Sequence, residues 1–277
     1  MIACRGSRRL SGRLTLGVSW LKRPHPSETK ERRDMLSRLL CCSLAMLALL
    51  PTNAVAEGLL YQLPVDGVWA RFEMVQTHWK TSGNSIGTLT VSSVGTEEID
   101  GRKCRWIEID YDTKGWRSPI RNVYKLLIPE EHLGKGGEPL KHVVKAWYKD
   151  GKGNPTENKN LYVLVGAARY KLLDSFFHGP FGSATELEAA AIESQLGKLD
   201  CKGIAVNETT RLEEELLDGA IYSIRLHEKA PFGVVLWERK LHWVLRTRDG
   251  PIQGWETTKL KLAATGIDAK SAMPEAR

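Results

Sequence analysis

The residues with chemical potential are few and scattered. Downstream of residue 56 the histidines are His78, His132, His142, His178, His227 and His242. None is paired with a second histidine four residues on across an intervening glutamate, so the helical zinc-hydrolase spacing is missing. Glu131-His132, in a glycine-rich stretch, is the nearest approach to an acid–base pair, but two adjacent loop residues define no geometry for proton transfer. Glu108, Asp110 and Asp112 alternate along one extended segment, about 7 Å apart pairwise. Such oxygens could collect calcium, yet the loop spacing and glycine of a calcium hand are lacking. They read as a solvated outer face. No G-x-S-x-G elbow and no glycine-rich phosphate loop occurs, and neither Cys104 nor Cys201 sits in a recognisable nucleophile context. Nothing assigns a catalytic residue, a metal or a cofactor.

Tryptophan is the compositional excess: Trp69, Trp79, Trp106, Trp116, Trp147, Trp237, Trp243 and Trp255 all follow residue 56. Aromatics in an extended protein form core, sugar platforms or apolar cavities. In Val234–Arg246 the odd positions include Val235, Trp237, Arg239, Leu241 and Trp243. Arg239 thus falls on a face rich in large apolar groups, where a charge must be paired or line a cavity. Together with Phe72 and Met74 on an earlier segment, Trp237, Arg239 and Trp243 are the candidate ligand contacts.

The elements that position these residues are extended. Ile221–Glu228, Val234–Arg246 and Trp255–Ala264 form a meander, parted by Ala230-Pro231-Phe232-Gly233 and by Asp249-Gly250-Pro251. Val68–Trp79 alternates, with Val68, Ala70, Phe72 and Met74 on the expected core face. Ile86–Val94 and Lys103–Asp112 flank the tight-turn signal Asp100-Gly101, and Arg121–Ile128 follows. Two helices are expected. Leu140–Lys149 places Leu140, Val143, Val144 and Trp147 on one stripe after Pro139. Leu187–Leu196 follows the capping box Ser183-Ala184-Thr185-Glu186. Leu161–Val165 reads as a short strand.

The first 56 residues read as a leader. Leu39–Leu50 is an apolar run of 12 residues, short of the about 20 that span a bilayer. Arg32, Arg33 and Arg38 precede it and Ala54-Val55-Ala56 follows, so cleavage is expected between Ala56 and Glu57. Met35 lies where such a leader begins, and the expected start of translation is there. Cys41 and Cys42 open the apolar run rather than follow it, which does not fit a lipoprotein leader.

Removing the leader changes the charge. It holds ten of the 40 basic and three of the 33 acidic residues, so residues 57–277 carry 30 of each. Nucleic-acid binding needs a cationic surplus to release counterions, and none remains. Only Cys104 and Cys201 survive cleavage. In an oxidising compartment they are a disulfide candidate, and closing that loop would stabilise by roughly 4–5 kcal/mol.

A leader, a long antiparallel meander, mid-chain helices and the late turn Ala230-Pro231-Phe232-Gly233-Val234-Val235 together resemble the secreted half-barrel proteins related to the periplasmic lipoprotein carriers. The resemblance is to architecture over Trp69–Ala264. It implies an open, strongly curved sheet that wraps over helices and holds an acyl chain in its concavity. The expected protein is therefore mainly β, a single half-barrel domain over 57–265 covered by two helices, with 266–277 as a disordered tail. It is expected to be exported to the periplasm or beyond, without a transmembrane span. Its expected role is non-enzymatic binding of a lipid or other apolar ligand. An envelope interaction module binding sugar or protein is the alternative, and a hydrolase of unknown substrate the second.

Overall fold

The computed structural model describes residues 58–79, 84–114, 120–134, 137, 139–157, 176, 183–212, 216–247 and 250–273. The chain divides into two units, 1–52 and 53–277, and all described residues lie in the second. The leader with Ala56 and Glu57, and the expected strand Leu161–Val165, lie outside the described residues.

Eleven strands form one antiparallel sheet. They are β1 (Trp69–His78), β2 (Asn84–Ile99), β3 (Arg102–Lys114), β4 (Ile120–Pro129), β5 (Lys145–Asp150), β6 (Thr156–Glu157), β7 (Ser183–Ser194), β8 (Gly197–Leu212), β9 (Leu216–Leu226), β10 (Val234–Thr247) and β11 (Gly250–Gly266). Their order is β6-β5-β4-β3-β2-β1-β11-β10-β9-β8-β7, so the sheet is open and the first long strand pairs with the last at its centre. The ladder shifts in β1 between Arg71 and Phe72, in β2 between Ser93 and Thr96, in β7 between Leu187 and Ala190, and in β10 between Val234 and Leu236. Each such bulge bends its strand and adds twist, which curves the sheet.

The expected meander is present as β9, β10 and β11, and the Asp100-Gly101 turn joins β2 to β3. Both turn residues have positive φ, 50° and 72°, as a two-residue hairpin turn requires. In β1 the buried Ala70, Phe72 and Met74 alternate with exposed Arg71, Glu73 and Val75.

Two expectations fail. Leu140–Lys149 is not a helix: Pro139–His142 is a single 3₁₀ turn and Lys145–Asp150 is a strand paired with β4. The stripe was too short to outweigh Val143-Val144 and Trp147-Tyr148, residues that favour a strand. Leu187–Leu196 is not a helix either, because Ser183–Ser194 is β7. Glu, Leu and Ala favour helix, but pairing with β8 along the whole hairpin satisfies the backbone, and Ala184 and Ile192 pack on the core. The hairpin closes at Gly197, whose φ of 89° suits glycine. Neither expected helix covers this sheet, α-helix being described at Phe176 alone, and no described helix is long and apolar enough to cross a membrane.

The lead-in before β1 is sewn down by side chains. Gln62 donates from Nε2 to the carbonyls of Glu228 and Ala230, and its backbone N–H reaches Phe232 O. Arg105, buried on β3, donates from Nε to Glu130 Oε1 at 3.0 Å and from Nη1 to Pro64 O and Ser93 Oγ. Asp66 accepts from Ser93 Oγ and the Gly95 N–H. At the other end, the segment expected to be disordered folds back through Met273: Ser271 Oγ and the Ala272 N–H both donate to Glu108, which is 5% exposed. Glu108 is therefore covered by the tail rather than standing on a solvated face, while Asp110 pairs with Arg121.

Burial alone would push the Glu130 carboxyl up, but hydrogen bonds and charge from Arg105 and Lys103 outweigh it and hold the group below its ordinary 4.5. A lowered folded value means the ionised form stabilises the fold above the ordinary value, and that contribution is lost as pH falls through the depressed value. Urea unfolding at descending pH is expected to show this loss for the natural chain and a flatter profile for Glu130→Gln. Arg105→Ala is expected to cost about 1–3 kcal/mol, because it leaves Pro64 O and Ser93 Oγ without their buried donor and the half-buried Glu130 with Lys103 alone.

Candidate functional site

Directly opposed residues of neighbouring strands share a face, so the registers place the inner surface row by row. Across the middle of the sheet runs Met74–Leu260–Trp237–Ile224–Ile204. Phe72 opposes Leu262 one row away. Phe72, Met74, Leu260 and Trp237 have no exposed surface. The Phe176 ring meets Trp237 edge-on at 4.7 Å and Tyr222 meets it at 5.8 Å. Gly87 opposes Met74, and a Cβ there would lie 2.3 Å from Asp112 O and 3.0 Å from the Met74 methyl. The missing side chain lets Met74 lie across β2.

Two residues along each strand the character changes. The next row reads Ser85–Gln76–Thr258–Arg239–Tyr222–Val206, and the one after it His78–Glu256–Leu241–Ala220–Glu208. Arg239 is 7% exposed and donates from Nη2 to Glu256 Oε1 at 3.0 Å. Thr258 Oγ1 lies 3.5 Å from the same oxygen. Burial pushes the Tyr222 hydroxyl up; Glu208 pushes it further and Arg239 opposes. Burial also raises Tyr111, to which Thr113 is hydrogen-bonded and which feels the charge of Glu256. Among the described residues the inner face thus has a buried apolar base and a polar margin holding one guanidinium and two carboxylates.

Four of the five expected contacts, Phe72, Met74, Trp237 and Arg239, come together on this face. For Trp243 only the backbone, in β10, is described. Sequence reading missed Glu256, Thr258, Tyr222 and Glu208. The signal available was the alternation Glu256, Thr258, Leu260, Leu262 on one strand, where polar residues enter an apolar face.

The other candidates lie elsewhere. Cys104 and Cys201 are free buried thiols in two different apolar clusters, so the expected disulfide is not formed. Burial pushes both thiols up, the opposite of activation. The His132 and His142 rings stack at 3.4 Å, and Glu131 Oε1 lies 3.5 Å from His132 Nε2, with the glutamate side chain largely exposed. His178 lies outside the described residues. Among the described residues no three His, Cys, Asp or Glu side chains are placed to hold a metal ion.

No protein-family model matches this sequence, and no curated protein does. Two solved structures are similar at low level. One is a DUF1329 family protein from Desulfovibrio piger, with 9% identity and a TM-score of 0.30 over 74% of this chain and 87% of that one. The other is a β-barrel-like protein of domain of unknown function DUF1849 from Brucella abortus, with 10% identity and a TM-score of 0.23 over 75% and 99%. Neither likeness bears on function.

Two outcomes test this geometry. Gly87→Ala is expected to destabilise by about 1–3 kcal/mol through crowding against Met74 and β3, read from urea midpoints. Tyr222 is expected to stay protonated well above its ordinary 10.0. In an ultraviolet titration, Tyr222→Phe should leave the first tyrosinate step unchanged and reduce only the late rise that accompanies alkaline unfolding.

Proposed function

We propose that this chain is an exported, non-enzymatic binding protein that receives a lipid or other apolar ligand on the inner face of its curved sheet. The observation that carries the reading is the change, within two residues along each strand, from the apolar row through Met74, Leu260 and Trp237 to the polar row through Thr258, Arg239 and Tyr222. A buried charged margin burdens folding with desolvation, and this one borders the apolar row rather than tying down a loop as Arg105 does. An amphipathic ligand would use it, since such sites combine apolar walls with a few placed polar groups. Export follows from the leader, and the compartment would be the periplasm or the exterior. A second reading, an envelope module that binds sugar or protein, draws on the outer face, where Trp255 stands 43% exposed and its carbonyl accepts from the Trp79 N–H.

The test is native mass spectrometry of the protein expressed with its leader and recovered from the periplasm, with lipid extraction of the same sample. The expected result is a mature mass beginning at Glu57 together with a stoichiometric acyl compound. A bare protein mass that takes up no added lysolipid would overturn the lipid reading in favour of the outer-face module.

A further inference from the structure

The polar margin has a definite charge pattern. Arg239 stands between two carboxylates. Glu256 is its direct partner, and its side chain is 28% exposed. Glu208, in the row beyond Tyr222, acts on the Tyr222 hydroxyl. Counting these three groups, the margin carries one negative charge in excess. Among the described residues the other groups facing it are His78 opposite Glu256, Ser85, Gln76 and Thr258 along one row, and the tyrosines 111 and 222. A second observation is independent of this pattern. Trp237 is wholly buried one row from Arg239, and its indole N–H has no hydrogen-bond acceptor among the described residues. A buried donor left without an acceptor is costly, so an oxygen arriving beside it is favoured.

These features select among head groups. A simple anion would meet Arg239 and the Trp237 N–H, but also two carboxylates that repel it. A simple cation would suit Glu256, Glu208 and the tyrosine faces, but would meet Arg239 and leave the indole N–H as it was. A neutral sugar would engage neither charge. A molecule with both signs, a few ångströms apart, satisfies all of them. Carboxylates beside aromatic faces are the chemistry that recognises quaternary ammonium groups.

We propose that the polar margin receives a zwitterionic head group, its anionic oxygens against Arg239 and the Trp237 N–H and its cationic nitrogen against Glu256 and Glu208. The inference rests on the binding reading above and names the class of ligand for the same site. The Arg239–Glu256 pair opens as the head group enters, and each partner finds its opposite charge on the ligand.

Calorimetry separates the possibilities. The periplasmically expressed protein, freed of co-purifying lipid, is titrated with dodecylphosphocholine, dodecyl phosphate, dodecyltrimethylammonium and dodecyl maltoside, each below its micelle concentration, and with free phosphocholine. The expected result is dodecylphosphocholine binding about tenfold tighter than each of the others. Glu256→Gln is expected to abolish that preference while leaving dodecyl phosphate binding unchanged or tighter. Glu208→Gln serves the same purpose should Glu256→Gln fail to fold, as judged by circular dichroism. Equal binding of all four amphiphiles would overturn the head-group inference and leave the lipid reading standing. Binding of none would overturn both. Tight binding of free phosphocholine without a chain would uphold the head-group inference and overturn the lipid reading, making the ligand a small zwitterionic solute.

Discussion

The pairing of β1 with β11 is the constraint on which the rest depends. These strands come from opposite ends of the folded unit, yet they lie side by side at the centre of the sheet, in register from Trp69 with Gly266 to His78 with Glu256. On one flank β1 carries β2 to β6, and on the other β11 carries β10 to β7. Neither flank can bury its inner face without the other, because the central apolar row crosses the joint at Met74 and Leu260. Closing the longest loop in the domain before those contacts form is entropically costly, so the topology belongs to the slow-folding, non-local class.

Charge is what secures the ends of this sheet. Arg105 reaches the lead-in, β2 and Glu130 from one buried position. Glu108 holds the returning tail from the opposite face of the same strand. A strand with buried residues on both faces is covered on both sides, and β3 has that pattern. Here the second cover is the chain's own C-terminal segment with the small cluster of Cys104, Trp106 and Leu127. The inner margin uses charge differently. Arg239 meets the partly exposed Glu256 and the Tyr222 hydroxyl, beside a tryptophan whose N–H is unsatisfied among the described residues. The first arrangement is closed and structural. The second leaves hydrogen-bonding capacity unused where the apolar surface ends.

How much of this was legible in the sequence depended on how local the signal was. The alternation in Val68–Trp79 and in Val234–Arg246, and the Asp100-Gly101 turn, each concern neighbouring residues; the first and the turn appear as read, and the second does over Val235–His242, past the bulge at Val234. Arg239 stood out because a charge on an apolar face is anomalous by itself. Its partner did not, because Glu256 meets it only through the β10–β11 register, which opposes Arg239 to Thr258. The two expected helices failed for a related reason. Ser183–Ser194 is locally helical in composition, and only its pairing with β8, a tertiary fact, makes it a strand. Cys104 and Cys201 looked like a pair by count alone, and the topology separates them.

A ligand head group seated at the margin beside Arg239 would give the Trp237 N–H its acceptor. The most direct measurement is the indole N–H resonance of Trp237, assigned by its loss in Trp237→Phe, followed while dodecylphosphocholine is added to the isotope-labelled protein. A downfield shift that saturates with binding is expected, as the buried donor acquires an acceptor. An unmoved Trp237 signal, while calorimetry on the same sample reports binding, would place the ligand elsewhere and contradict that seating.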